Sequence, residues 1–169
     1  MLAEEGVRAL KVDRLCRKAG VTRGSFYWHF ADMDSYRAAL IESWNTFLDK
    51  DRRSLAELDA LPPRERLSAM MIALVSPQHW MLERAMREWA RTDPAAAANI
   101  RSADRRLVHS VTKAYSDYGF GPADAKLRAE LTFAAGIGLL HLAGSAEQAQ
   151  KAQRERFLDL MLAEPVQHP

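Results

Sequence analysis

The run Val21-Thr22-Arg23-Gly24-Ser25-Phe26-Tyr27-Trp28-His29-Phe30, with Gly20 ahead of it, leaves this stretch little conformational choice. Upstream, Val12, Leu15, Cys16 and Ala19 recur at i, i+3, i+4 and i+7, one apolar face of a short helix, and Gly20 follows where a left-handed C-cap is needed. Thr22 suits the N-cap of a second helix because its hydroxyl accepts from an unpaired first-turn amide. Val21 and Phe26 then take the N′ and N4 positions of a hydrophobic staple. The two pieces make a helix-turn-helix. With Phe26 and Phe30 facing inward, Arg23, Gly24, Ser25, Tyr27, Trp28 and His29 fall on the outer surface. Internal partners for so many polar groups are hard to find, whereas phosphates and major-groove edges use Arg, Ser, Tyr and His directly. This face is that of a helix built to lie on DNA.

Charge is distributed to match. The 169 residues carry a formal net charge of +2, but between Arg8 and Phe30 six basic residues (Arg8, Lys11, Arg14, Arg17, Lys18 and Arg23) stand against Asp13 alone. That is a local +5, leaving −3 for the remainder. Most charge runs are solvated helix faces. Beside this motif, Lys11, Arg14, Arg17 and Lys18 are expected to supply a salt-dependent, sequence-independent attraction to phosphates.

The remaining chain reads as helices with short breaks, and no strand-like alternation or internal repeat competes. Asp32 is expected to cap a fourth helix that carries Tyr36, Leu40, Trp44 and Phe47 inward. Pro62-Pro63 ends its connection; Leu67, Met70, Met71, Leu74 and Val75 then repeat at helical spacing until Pro77 stops them. Another stripe is Leu82, Ala85, Met86 and Trp89. Asp93-Pro94 opens a long helix through Leu107, Val108, Val111, Tyr115 and Tyr118, closed by Gly119.

The segment from about Glu4 to Trp44 resembles the DNA-binding domain of the TetR family of bacterial transcriptional regulators. The resemblance rests on the EEG before the second helix, the AGV turn, the S-F-Y-W-H-F core of the third helix and the acidic start of the fourth. It implies an all-α protein of about nine helices: a three-helix head, residues 1–48, followed by a larger helical bundle, residues 49–169, for ligand binding and dimerisation. By resemblance and by the facing argument, Arg23, Gly24 and Ser25 approach base edges, with Arg23 reading guanine and Gly24 allowing close approach. Thr22, Tyr27 and His29 suit phosphate oxygens, and Trp28 suits a sugar or a thymine methyl. Family members have further helical turns before the equivalent of Met1, so the first helix is expected to be a stub, with the true start codon upstream. Lys11 stands where the family has a capping Thr, Met33 replaces a Lys, and Cys16 replaces a small residue.

The body is expected to bind an unidentified small-molecule effector, with Met70, Met71, Trp89, His109, Tyr115 and Phe133 as candidates, although Met and aromatic stripes more often fill cores. A helix of roughly Ala123 to Ala143 is rich in small residues, including Gly136 and Gly138. Each Gly costs about 1 kcal/mol relative to Ala, which suggests the close approach of another backbone. By resemblance, this helix and the last one, about Glu147 to Leu162, pair with their two-fold mates in a homodimer. The candidate interface is Ala135, Gly138, Leu142, Phe157, Leu160 and Met161. Two heads on one body would read a palindromic operator in double-stranded DNA.

Enzymatic readings find little support: the sequence holds no HExxH, no paired Cys ligands and no Gly-rich phosphate loop, so no cofactor or metal is expected. The opening Met1-Leu2-Ala3-Glu4-Glu5 is acidic where a signal peptide is basic, which predicts a cytoplasmic protein. The apolar stretch from Leu131 to Gly144 is shorter than the roughly 20 residues of a membrane span. The competing reading is a helical dimer that senses a ligand or binds a protein with weak or no DNA binding.

Overall fold

The computed structural model describes residues 1–74, 77–139 and 147–163, and within them every side chain except those of residues 47–56, 73, 74, 77–80, 139 and 147–150. The described residues form nine α-helices and two 3-10 turns without a strand, the all-helical class expected from the sequence. In chain order they are α1 (Leu2–Glu5), a 3-10 turn (Val7–Ala9), α2 (Val12–Ala19), α3 (Arg23–His29), α4 (Met33–Glu57) and a second 3-10 turn (Leu58–Ala60). Then follow α5 (Pro63–Leu74), α6 (Pro77–Ala90), α7 (Pro94–Tyr118), α8 (Pro122–Leu139) and α9 (Glu147–Leu162). Proline is the first residue of α5, α6, α7 and α8, where its fixed φ suits the helix and its missing N–H leaves no bond unmade. Pro77, expected as a stop, is thus the start of the next helix. Asp93 caps α7 by accepting the Ala96 N–H at 2.9 Å.

The chain divides into two compact units, residues 1–54 with 77–104 and residues 55–76 with 105–169. In the first, Trp44 of α4 and Met86 and Trp89 of α6 share a core with Leu2, Leu10, Ala96 and Ile100. A helix as short as α1 is not self-supporting; burial of Leu2 and packing on α6 hold it. Each such fully buried side chain contributes about 1.5–3 kcal/mol. Arg87 of α6 closes a fork on Asp104 of α7, at 2.6 and 3.1 Å, and reaches Glu83 at 2.8 Å.

In the second unit, Leu67, Met70 and Met71 of α5 pack with Val111, Ala114 and Tyr115 of α7, Ala125 and Ala129 of α8, and Leu158, Met161 and Leu162 of α9. Tyr115 has no exposed surface, and its hydroxyl meets that of Thr132 at 2.8 Å. Arg64 of α5 donates to Asp159 of α9 at 2.8 Å. Arg128 of α8 lies 3.9 Å over the Phe120 ring and donates to the carbonyls of Met161 and Ala163, closing the C-terminal end of α9. Among the described residues no helix is long and apolar enough to cross a membrane.

Candidate nucleic-acid interface

The turn between α2 and α3 is built as the residues require. Gly20 adopts the left-handed conformation at φ 69°, ψ 29°, and the Val21 N–H donates to the Cys16 carbonyl at 3.0 Å. Thr22 is the N-cap of α3, its Oγ1 accepting the Ser25 N–H at 3.1 Å. Cys16 is buried, and its thiol points to the Thr22 carbonyl at 3.5 Å, a weak bond that ties the inner face of α2 to the cap of α3. Lys11 precedes α2 without a side-chain cap bond, as expected for a residue with no acceptor.

Phe26 anchors α3. It is buried, with ring centroids 5.3 Å from Phe30 and 5.7 Å from Tyr36, and Phe30 meets Tyr36 edge-on at 5.1 Å. Val21, expected as the staple, keeps 46% of its surface exposed, so the aromatic rings provide most of the enclosure. Downstream, Asp32 and Ser35 cap α4 reciprocally: Asp32 Oδ1 accepts the Ser35 N–H at 2.7 Å and Ser35 Oγ accepts the Asp32 N–H at 3.1 Å. That donation from the Ser35 amide holds the Asp32 carboxyl below its ordinary range. The recognition segment is therefore pinned at both ends and along its inner side.

Its outer side is exposed. Arg23, Gly24, Ser25, Tyr27, Trp28 and His29 are all exposed, as the facing argument expects. Trp28 shows 81% of its surface and meets His29 edge-on at 4.6 Å. Lys11, Arg14, Arg17 and Lys18 are exposed on and beside α2.

What the sequence reading missed is the pairing of these cations. Arg23 donates through Nε to Asp13 of α2, Arg14 pairs with Glu5, and Lys18 pairs with Glu4. The Arg23 hydrogen bond holds the Asp13 carboxyl below its ordinary range, and the Lys18 hydrogen bond is the largest of the influences that lower Glu4 to about 2. Among the described residues, Arg8, Lys11 and Arg17 form no ion pair. A charge window opened at Glu4 instead of Arg8 would have lowered the local surplus to +3 and shown the acids.

The body candidates are dispersed. Met70, Met71 and Tyr115 lie in the core of the second unit, Trp89 in that of the first; His109 is exposed and Phe133 half-buried. Of the residues expected at a dimer interface, Met161 is buried within its own unit and Phe157 packs against that core, because α9 turns both toward Leu158 and Leu162. Leu160 is 70% exposed, Ala135 is half-buried and Gly138 is exposed. Leu142 lies outside the described residues.

A capped helix-turn-helix with a polar, aromatic outer face, joined to a helical body, defines the class of helix-turn-helix transcriptional regulators. Residues 1–40 match the family described as bacterial regulatory proteins, tetR family. The match covers the helix-turn-helix segment, 40 of the 169 residues, and it is this segment that is similar to the family. No curated protein matches it. Among solved structures it is similar to a transcriptional regulator from Rhodococcus sp. Rha1, at 24% identity over 95% of this chain and 87% of that one, with a TM-score of 0.74. It is also similar to a TetR transcription regulator from Haloarcula marismortui ATCC 43049, at 18% identity over 95% of this chain and 91% of that one, with a TM-score of 0.71. At these identities the likeness is one of fold.

Proposed function

We propose that the chain is a ligand-responsive repressor that binds a palindromic operator as a homodimer, with residues 1–48 reading DNA and residues 49–169 serving dimerisation and effector binding. The observation that carries this reading is the exposed row Arg23, Gly24, Ser25, Tyr27, Trp28 and His29 on a helix held from its other side by the Thr22 cap and the Phe26 anchor. Arg23, Gly24 and Ser25 meet base edges; Thr22, Tyr27, His29 and the cations of α2 meet phosphates; Trp28 meets a sugar or thymine methyl.

Support for a dimer comes from α8. Leu127 and Leu131, 54% and 50% exposed, continue through Ala134 and Gly138 as one exposed apolar stripe at helical spacing. A Cβ added at Gly136 or Gly138 would meet nothing within 4 Å among the described residues, so no close approach within them accounts for those glycines. A second copy laid along this face, with Leu160 of α9, gives them a use and sets two heads on one operator. An effector site among Met70, Met71, His109, Tyr115 and Phe133 requires the Met side chains to repack around the ligand. The cytoplasm is the compartment consistent with this function.

The test is selection of bound duplexes from a randomised library, with Arg23→Ala and Tyr27→Phe alongside. A palindromic consensus is expected, relaxed at one position per half-site by Arg23→Ala, while Tyr27→Phe weakens all sequences alike. The second reading, a dimeric sensor without DNA binding, draws on the pairing of Arg14, Lys18 and Arg23 with acids. Failure to retain any duplex in a salt-dependent way would favour it.

A further inference from the structure

We propose that Asp13 is a positioning residue for base reading: by engaging Nε of Arg23 it presets the guanidinium and leaves the two Nη groups as the donor pair for O6 and N7 of one guanine. The inference rests on the reading of Arg23 as a base-contacting residue. It adds a residue of a different helix, with the opposite charge from any DNA-contacting group.

The chemistry follows from the fork of donors on arginine. Guanidinium carries five N–H groups, one on Nε and four on the Nη atoms, and guanine offers two acceptors side by side in the major groove. A bond to Nε uses the donor that an end-on approach to guanine does not need. Arg23 begins α3 and more than half of its side chain is exposed, so without a partner it would sample many rotamers and lose that freedom on binding. Asp13 removes much of that loss in advance. It is itself held, since it occupies the first turn of α2, whose C-terminal end is fixed by Gly20 and tied through Cys16 to the Thr22 cap. Arg17, one turn along α2, adds a weaker attraction on the same carboxylate without forming an ion pair. Asp13 also places a negative charge near the DNA surface, where it repels phosphates regardless of sequence. One group therefore raises discrimination and lowers non-specific affinity.

Those two effects separate positioning from a structural role. An acid in the first turn also stabilises α2 through the helix dipole, and loss of that contribution alone would weaken binding to every duplex by the same factor. The experiment uses the full chain, the duplex selected from the randomised library, single G·C-to-A·T replacements in it, and an unrelated duplex. For the unsubstituted protein, replacing the guanine read by Arg23 should cost about tenfold to a hundredfold. Asp13→Ala, which removes the acceptor as well as the charge, should reduce that penalty to about threefold or less while raising affinity for the unrelated duplex about twofold at low salt. A circular dichroism melt checks that this exposed substitution leaves the fold intact. Retention of the full penalty in Asp13→Ala, while Arg23→Ala abolishes it, overturns the positioning role alone. An equal loss of affinity for all duplexes in Asp13→Ala also overturns it. If Arg23→Ala relaxes no position, the base reading by Arg23 fails and the role of Asp13 falls with it.

Discussion

Replacing Gly24 by Ala should move stability and DNA binding in opposite directions. Gly24 is the second residue of α3, and its φ is not in the positive range that would strain an alanine. A Cβ built there has one close neighbour, Thr22 Oγ1 at 3.6 Å, which is ordinary van der Waals contact and leaves the cap bond undisturbed. Within a helix interior Ala is favoured over Gly by about 0.5–1 kcal/mol. In a first turn about half of that is expected, raising the melting temperature of a chain of this size by about 1–2 °C. On the outer face the same methyl meets no protein atom beyond Thr22 Oγ1, but it stands where α3 is proposed to approach base edges. One methyl forced into a packed contact costs about 1–3 kcal/mol, which weakens Kd by roughly fivefold to 150-fold. The assay is paired: a thermal melt and an anisotropy titration of the selected duplex on the same preparation. An unchanged Kd in a variant that melts no lower than the unsubstituted protein refutes the close approach of α3. A lower melting temperature refutes the reading of the space around Gly24.

Thr22→Ala removes the acceptor for the Ser25 N–H and should destabilise the head by about 1 kcal/mol, with Thr22→Ser recovering most of it; amide exchange at Ser25 reports the change. Tyr115→Phe leaves the buried Thr132 hydroxyl without its partner and should cost about 1–2 kcal/mol in urea unfolding, whereas a stable variant would show that this pair adds nothing to the core. Arg66 donates to Asp117 at 2.7 Å and, as the largest influence, holds that carboxyl below its ordinary value of 3.8. A lowered folded pKa means stability that is present above the unfolded value and lost as pH falls through the folded one. Acid titration of unfolding should therefore show a loss below about pH 4 that becomes shallower in Arg66→Met. An identical acid slope in the two proteins would contradict the pairing.

The elements were legible where the signal is local. Gly20, Thr22 and the Phe26–Phe30 spacing specify the turn and the inner side of α3 through caps and i, i+4 geometry, and the structure places each accordingly. Asp32 and Asp93 announce the starts of α4 and α7 for the same reason. The charge pairs were not legible, because Glu4 and Glu5 reach Lys18 and Arg14 only after α1 has folded back, and Asp13 meets Arg23 across the turn. Periodicity shows which face of a helix is apolar but not what covers it. Trp89 and Tyr115 both read as inward residues, yet they belong to different cores, and Met161 reads as an outward residue of a dimer face but fills its own unit. The facing of Phe157 and Leu160 is the same lesson on one helix: three residues apart, one packs inward and the other is exposed.

The paired cations also make a prediction about salt. Each cation that neutralises a phosphate contributes a slope of about −0.9 to log K against log salt, because it releases a counterion held by the DNA. Lys18 and Arg14, however, begin with Glu4 and Glu5 as neighbours. When a phosphate takes the cation, the bared carboxylate takes up a counterion from solution, so part of the release is cancelled. Replacing both acids, in Glu4→Gln with Glu5→Gln, removes that uptake while leaving the donors to phosphate unchanged. The slope should steepen by about 1–2 units and the low-salt affinity should rise, with sequence preference untouched because no base contact is involved. Titration of one duplex across a salt series in the two proteins measures the difference. If the slope is the same, Lys18 and Arg14 do not exchange carboxylate for phosphate, and the attraction to DNA must come from Lys11, Arg17 and Arg8.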